Sequence, residues 1–176
     1  MTNEIAFKVR VGQLQSHGSV SAEFPLHEEL QMEHAQTQTR VFLVEDDDQD
    51  AFLFEKMLRE EAEATQIDRA IEGQKALELL QSYEEAELPH CIVMDLRLAG
   101  EDGLWLLDRL LENEALARIP VIVFSGDVDR LQRAASSFAN VISSVRKPET
   151  LEQYRTALTI VTAIMRASVG DQDETA

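Results

Sequence analysis

A chain of 176 residues, 44% of them hydrophobic, has room for one domain of ordinary size plus extensions. Its 33 acidic and 16 basic side chains give a net charge of −17, which argues against binding to nucleic acid or to an anionic membrane surface. The sequence contains neither an apolar run that could span a bilayer nor a secretory signal. A single cysteine excludes an intrachain disulfide, and we expect a cytoplasmic protein.

Residues 1–39 have a different pattern from the rest of the chain. Apolar and polar side chains alternate from Ile5 to Val11, as in a strand, and a polar loop and a short helical pattern follow. We expect an N-terminal extension that is partly flexible or that docks on a partner.

From residue 40 onward, strand and helix patterns alternate. Strand patterns occupy residues 41–44, 66–71, 91–94, 121–124 and 141–145. Helical patterns occupy residues 51–62, 75–83, 104–116, 129–138 and 149–167, and the last has an apolar stripe at Leu151, Tyr154, Leu158, Val161 and Met165. The alternation predicts an α/β domain with a doubly wound, five-stranded parallel sheet. We assign residues 40–166 to this domain and residues 167–176 to an acidic C-terminal tail.

The stretch CIVMDLRLAGEDGL, residues 91–104, is the centre of the predicted domain. Four apolar residues lead directly into Asp95, and a loop with two glycines follows. Such a run predicts a buried strand of a parallel sheet. Asp95 would then lie at the carboxyl end of that strand, where open α/β sheets carry their chemistry. Cys91 lies inside the same strand, and we interpret it as core filler.

Other polar side chains should meet Asp95 at the same edge, because all strands of a parallel sheet point the same way. They are Glu45, Asp46 and Asp47 after the first strand, Ser125 after the fourth and Lys147 after the fifth. Clustered carboxylates repel one another unless a hard divalent cation such as Mg²⁺ binds between them. A carboxylate nucleophile, a hydroxyl and an ammonium group are suited to phosphoryl transfer. Each acid taken alone would more simply be a helix cap or a solvated surface group.

Residues 40–166 resemble the response-regulator receiver domains of two-component signalling. The resemblance rests on four motifs in the expected order and spacing. VFLVEDD is similar to the family's acidic-pair motif, CIVMDLRLAGEDGL to its phosphoacceptor motif, VIVFSG to its hydroxyl-bearing motif, and VRKP to its lysine–proline motif. Each motif alone is a weak signal, whereas the four together are specific.

The resemblance implies a (βα)5 flavodoxin-like fold with Asp95 as the phosphoacceptor. Glu45 and Asp46 would form the acidic pair of a site for Mg²⁺ or Mn²⁺. Asp46 and Asp95 would be its carboxylate ligands, and Arg97 would lend its backbone carbonyl.

The same resemblance assigns Ser125 as the switch hydroxyl and Lys147 as the lysine that contacts phosphate, and it implies a cis peptide bond before Pro148. One position departs from the family pattern. Receivers usually carry an aromatic residue three positions before the lysine, which turns inward when the hydroxyl engages the phosphate. Ser144 occupies that position, so switching by ring rotation is in question.

We therefore expect a single-domain response regulator of the stand-alone chemotaxis type, not an enzyme. It would take a phosphoryl group from a sensor histidine kinase or a histidine phosphotransfer protein, and autodephosphorylate. No sequence follows residue 176 for an output domain, so its output would be a phosphorylation-dependent contact with a downstream protein.

Two other functions remain open. A receiver-like scaffold with impaired switching would explain Ser144. An aspartyl-phosphate phosphatase would use similar carboxylates, but such enzymes usually have a second acid two residues after the nucleophile, where this chain has Arg97. A homodimer through the last helix is a further expectation, because apolar residues extend beyond its predicted stripe.

Overall fold

One parallel sheet organises the computed structural model of the chain, which describes residues 39–98, 100 and 102–173. Within these residues the strands are Arg40–Val44 (β1), Gln66–Ala70 (β2), Cys91–Asp95 (β3), Val121–Ser125 (β4) and Val141–Arg146 (β5). Their order is β2-β1-β3-β4-β5, and every neighbouring pair is parallel. The predicted α/β fold is confirmed. The expectations for residues 1–38 and 174–176 lie outside the described residues.

The helices of the described residues are Asp48–Glu61 (α1), Gly73–Ser82 (α2), Gly103–Leu111 (α3), Glu114–Ala117 (α4), Val128–Ser137 (α5) and Leu151–Asp173 (α6). A short 3₁₀ helix covers Glu85–Glu87. The single helix expected over residues 104–116 is wrong, because the chain divides there into α3 and α4. The Asn113 side chain accepts hydrogen bonds from the backbone N–H groups of Ala115 and Leu116, which caps a new helix.

Two apolar layers enclose the sheet. Every residue of β3 and β4 is buried, as expected for central strands of a parallel sheet covered on both faces. One core cluster joins the sheet to α2, α3 and α5, and the other joins it to α1 and α6. This doubly wound arrangement leaves the carboxyl edge of the sheet as the place where polar side chains converge.

The last strand is partly exposed, and the last helix differs from the pattern expected for it. Alternate residues of β5 are exposed, because β5 is an edge strand. Leu151, predicted to begin the apolar stripe of α6, is 57% exposed, whereas Tyr154, Leu158 and the later members are buried. Helix α6 continues to Asp173, past the boundary expected at residue 166. No helix in the described part of the chain is long and apolar enough to cross a bilayer.

Candidate functional site

Asp95 ends β3, the middle strand of the sheet, and its side chain is buried. Glu45 follows β1 on one side, and Ser125 ends β4 on the other. Lys147 follows the edge strand β5. The parallel topology therefore places these side chains at one edge, as the sequence predicted.

The Lys147 ammonium group holds three carboxylates together. Its Nζ atom lies 2.8 Å from Glu45 Oε2, 2.7 Å from Asp50 Oδ2 and 2.8 Å from Asp95 Oδ2. An ammonium group has three donors, and all three can be used here at once. Lys147 is thus the cation at the centre of the site.

Burial and charge oppose each other in this cluster. Burial raises the pKa of Glu45, although its ion pair with Lys147 acts in the other direction. Burial also works against a charged Lys147, but its hydrogen bonds to Asp50, Asp95 and Glu45 outweigh burial and raise the pKa of the lysine. The ammonium form is therefore strongly favoured, and Lys147 serves as a fixed positive charge.

The acidic run after β1 divides into different roles. Asp47 is the N-cap of α1, where its Oδ1 accepts hydrogen bonds from the backbone N–H groups of Gln49 and Asp50 at 2.8 Å and 3.0 Å. These two bonds lower the pKa of Asp47. Asp46, which precedes it, is partly exposed. Arg69 on β2 fixes the turn from outside, since its Nε donates to the Glu45 carbonyl at 3.0 Å and its Nη1 pairs with Asp48 at 2.9 Å.

The donor set fits a magnesium site that keeps several waters. The described residues contain no cluster of three or more histidine, cysteine or acidic side chains that could hold a metal ion. Mg²⁺ commonly takes only one or two protein carboxylates and fills its other positions with water and phosphate oxygens. Glu45 and Asp95 are buried beside a single lysine that already pairs with Asp50 as well, so the pocket has an excess of negative charge. A hard divalent cation beside Glu45 and Asp95 would reduce that excess.

The loop after Asp95 is held against the strand end. The Arg97 backbone N–H donates to Asp95 Oδ1 at 2.9 Å, and the Gly103 N–H donates to the Leu96 carbonyl at 3.2 Å. A Cβ atom at position 103 would lie 2.7 Å from the Leu96 Cα atom and 2.9 Å from the Asp95 carbonyl oxygen. Only glycine allows α3 to begin this close to the strand, and this approach fixes the peptide that contacts Asp95.

Ser125 joins the site to the next helix. Its side chain is fully buried, and its Oγ accepts a hydrogen bond from the Asp127 N–H at 3.3 Å. Its carbonyl accepts a hydrogen bond from the Lys147 N–H at 3.0 Å, which ties the ends of β4 and β5 together. Asp127 is itself the N-cap of α5. The hydroxyl predicted to meet phosphate is therefore linked to the start of α5.

Residues 41–159 match the model of the response regulator receiver domain. The chain belongs to the response regulator receiver family. The probable methanogenesis regulatory protein FilR2 of Methanothrix harundinacea is 31% identical over 119 residues, which cover 65% of this chain and 76% of FilR2. Receiver domains of this kind are typically signalling modules of two-component systems and not enzymes.

Solved response regulators have the same fold. The phosphorylated cyanobacterial phytochrome response regulator RcpA is 25% identical with a TM-score of 0.62, and the match covers 70% of this chain and 91% of RcpA. The Mn²⁺-bound form of the response regulator Rcp1 is 26% identical with a TM-score of 0.59, and the match again covers 70% of this chain and 91% of the other.

The cis peptide bond expected before Pro148 is wrong. The peptide bond between Lys147 and Pro148 is trans, since none of the described residues has a cis peptide bond. Trans is the lower-energy isomer of a bond before proline by about 0.5–1 kcal/mol. The trans chain still brings Lys147 Nζ to three carboxylates, so the lysine reaches the receiver site without the cis bond.

Ser144 lies on the exposed side of β5. A residue three positions before Lys147 is therefore at the surface of the receiver, where the expected aromatic ring would stand. In the register of β4 and β5, Ser144 lies opposite Val123 and not opposite Ser125.

Two residues near the receiver site were not predicted to belong to it. Asp50 contacts Lys147 directly, yet in the sequence it is one of several acids that suit the first turn of a helix. Tyr154 on α6 lines a small cavity together with Lys147 and Asp50, and its pKa is raised to about 12 by burial and by the nearby Asp50 charge. The sequence assigned Tyr154 only to the apolar stripe. Asp50 and Lys147 are 97 residues apart in the sequence, so no local sequence pattern predicts that they pair.

Cys91 is confirmed as part of the core. Its side chain has no exposed surface, and burial raises the pKa of its thiol to about 12. A thiol with this pKa is protonated at neutral pH and is a poor nucleophile.

Proposed function

We propose that the chain is a phosphoacceptor, in which Asp95 takes a phosphoryl group from a sensor histidine kinase or a histidine phosphotransfer protein. The observation that carries this proposal is the 2.8 Å contact between Lys147 Nζ and Asp95 Oδ2. It places the positive charge of Lys147 beside the Asp95 carboxylate, which would form the bond to phosphorus. A signalling role follows from the receiver family, whereas the chemistry at Asp95 is our proposal.

In the proposed transfer, an Asp95 carboxylate oxygen attacks the phosphorus of a phosphohistidine. The new bond joins that oxygen to phosphorus, while the bond from phosphorus to the donor imidazole nitrogen breaks and its electron pair stays with the imidazole. Negative charge is spread over the phosphoryl oxygens during transfer. Lys147 can stabilise one oxygen by charge, and the Ser125 hydroxyl can donate a hydrogen bond to another.

Asp46 and Asp95, with the Arg97 backbone carbonyl and Glu45 nearby, would hold Mg²⁺ or Mn²⁺. The bound ion would neutralise charge on the phosphoryl oxygens and on the acidic cluster. A Mn²⁺-bound form of the similar regulator Rcp1 supports this proposal. The excess of carboxylates over the single Lys147 ammonium gives the physical reason for it.

The proposed output is a changed protein contact. A phosphoryl group adds charge and strong acceptor oxygens at a buried strand end, and this biases a surface between two states. We propose that residues 40–166 form the signalling domain of a cytoplasmic protein and that residues 1–39 and 167–176 flank it. The downstream partner, autodephosphorylation and a homodimer through α6 belong to the same proposal.

Acetyl phosphate with Mg²⁺ tests the phosphoacceptor directly. Intact-mass measurement should detect one added phosphoryl group on the unsubstituted protein, none without Mg²⁺, and none on Asp95→Asn. Asp108→Asn is the matched control, because Asp108 is an exposed acid of α3 that pairs only with Arg109 among the contacts described. Labelling of Asp95→Asn equal to that of the control would exclude Asp95 as the acceptor.

A receiver-like scaffold with impaired switching is the second candidate, and the exposed position of Ser144 favours it. Amide NMR in Mg²⁺ with and without beryllofluoride separates the two functions. Shifts confined to the acidic pocket would indicate a scaffold, whereas shifts that spread into residues 125–166 would indicate a working switch. The phosphatase alternative predicts turnover of small phosphoesters, and we expect none.

A further inference from the structure

Arg130, in the first turn of α5, lies at the meeting point of two chains of contacts that begin at the site. Its Nη1 donates to the Leu96 carbonyl at 3.2 Å and to Asp102 Oδ1 at 2.6 Å. Its Nε lies 3.7 Å from Asp127 Oδ2. None of the motifs that identify a receiver contains this arginine.

The first chain of contacts passes through a single peptide group. The peptide between Leu96 and Arg97 donates its N–H to Asp95 Oδ1 at 2.9 Å, and its carbonyl accepts from Arg130. A peptide group is planar and stiff. A change in the bonding of the Asp95 carboxylate that turns this peptide therefore also moves the oxygen that Arg130 holds.

The second chain of contacts starts at the hydroxyl. Ser125 Oγ accepts from the Asp127 N–H at 3.3 Å, and the Asp127 carboxylate caps α5 and faces Arg130. If Ser125 donates its hydroxyl proton to a phosphoryl oxygen, Oγ can still accept from the Asp127 N–H, so a displacement of Oγ would shift Asp127 and the start of α5 with it. A movement of the Leu96–Arg97 peptide and a movement of Asp127 would therefore both change contacts of the Arg130 guanidinium group.

We propose that Arg130 is a positioning residue that couples the state of Asp95 to helix α5, in place of the aromatic ring that Ser144 lacks. The inference rests on the proposed phosphoacceptor function. The guanidinium connects two sets of contacts. One runs from Asp95 through the Leu96–Arg97 peptide to Arg130, and the other runs from Ser125 through Asp127 to Arg130.

The strength of the Arg130 contacts suits a reversible link. The Arg130 and Asp102 side chains are 36% and 41% exposed, so water can replace either partner at little cost. The link can therefore break and reform without loss of the fold. Arginine also suits this position better than lysine, because its planar group addresses several acceptors in fixed directions.

Beryllofluoride titration with Mg²⁺ tests this coupling on the full ¹⁵N-labelled chain. In the unsubstituted protein, amide shifts should appear in the pocket and in residues 126–137. In Arg130→Gln, the pocket shifts should remain, while the shifts of residues 128–137 should become about two- to fivefold smaller, because exposed ion pairs change equilibria by factors of that order. Arg130→Lys should recover only part of the response.

Two further variants control the experiment. Arg133→Gln removes the same charge from an exposed position one turn later on α5, and it should respond like the unsubstituted protein. Asp102→Asn keeps the oxygen that caps α3 but removes the charge that pairs with Arg130. It should therefore reproduce part of the Arg130→Gln effect, and it serves as the test if Arg130→Gln folds poorly.

The outcomes separate the two proposals. Equal α5 shifts in Arg130→Gln and in the unsubstituted protein, with pocket shifts intact, would overturn the coupling role alone. Absence of pocket shifts in the unsubstituted protein would overturn the phosphoacceptor function and the coupling with it. An Arg133→Gln response as weak as that of Arg130→Gln would show that only the charge of α5 matters, and this too would overturn the coupling role.

Discussion

The two ends of the same sheet bury polar groups in opposite ways. At the amino end, the Arg40 N–H donates to His90 Nδ1 at 3.0 Å, and the His90 N–H donates to the Arg40 carbonyl at 2.9 Å. These hydrogen bonds join the first residue of β1 to the residue that precedes β3. At the carboxyl end, the ammonium group of Lys147 lies within 2.8 Å of carboxyl oxygens of Glu45, Asp50 and Asp95.

The two ends differ in what their polar groups contribute to stability. A neutral hydrogen bond in place of one to water costs little and fixes the strand register. Buried charges are costly to desolvate, and their attraction often only offsets that cost. The carboxyl end is therefore poorly explained by stability alone, and its excess of acids over basic groups supports the proposed site for a divalent cation, which would in turn offset the charge of a phosphoryl group.

Lys147→Met should give the largest effect on stability. Without the ammonium, Glu45 and Asp95 would stay buried beside one another, and removing one partner of a buried ion pair costs about 3–5 kcal/mol. Urea unfolding at neutral pH without metal should show this loss, and added Mg²⁺ should restore part of it. Lys75→Met is the control, because Lys75 pairs with Glu78 only at the surface and should leave stability unchanged. Equal stability of both variants would mean that Lys147 is not the counter-charge of the site.

His90→Leu tests the amino end and should cost about 1–3 kcal/mol, because the Arg40 N–H, at a partly buried position, loses its acceptor. His90→Asn, which can offer an oxygen near the place of Nδ1, should lose less. Phosphorylation by acetyl phosphate should persist in both variants. A loss of phosphorylation at native stability would contradict the separation of the two ends.

The same histidine predicts a pH dependence at the amino end. Burial lowers the pKa of His90 below its ordinary value of 6.5, so the folded state binds the proton less readily than the unfolded state. Its contribution to stability is present above that value and is lost as the pH falls through the lower, folded pKa. The unfolding free energy should decline over this range in the unsubstituted protein and decline less in His90→Leu.

Glu45→Gln should stabilise the metal-free protein at pH 7, by on the order of 1 kcal/mol. Burial raises the pKa of Glu45 from 4.5, so its contribution to stability is greatest below pH 4.5 and is lost as the pH rises through the folded pKa. The variant removes this loss, and it should also weaken Mg²⁺ binding. Urea unfolding from pH 4 to pH 7 measures the first effect, and destabilisation at pH 7 would contradict it.

The fold and the main members of the site were accessible from sequence for local reasons. Buried strands such as β3 and β4 are continuous apolar runs, and a parallel topology then sends Asp95 and Ser125 to one edge. Lys147 could be placed there because it follows a strand pattern in a recognisable motif. These inferences need only the period of the pattern and the direction of the strands.

The remaining features depend on contacts between distant parts of the chain. The break between α3 and α4 depends on whether the Asn113 side chain turns back to cap a helix, and a polar residue inside a helical pattern does not decide this. The position of Arg130 over the Leu96 carbonyl joins residues 34 apart in sequence. The trans bond before Pro148 is a choice between isomers that differ by about 1 kcal/mol, which is smaller than the energies that fix the fold.

Asp50→Asn should give the smallest effect, and it separates the two kinds of carboxylate on Lys147. The Asp50 side chain is 42% exposed, so the loss of its charge should cost less than about 1 kcal/mol. Asparagine can still accept a hydrogen bond from Lys147, and Glu45 and Asp95 remain as charged partners. Acetyl phosphate should therefore still label the variant at Asp95, whereas Asp95→Asn should take no label. If Asp50→Asn abolishes labelling at unchanged stability, Asp50 is part of the chemistry, and the functional site extends from the strand ends into the first turn of α1.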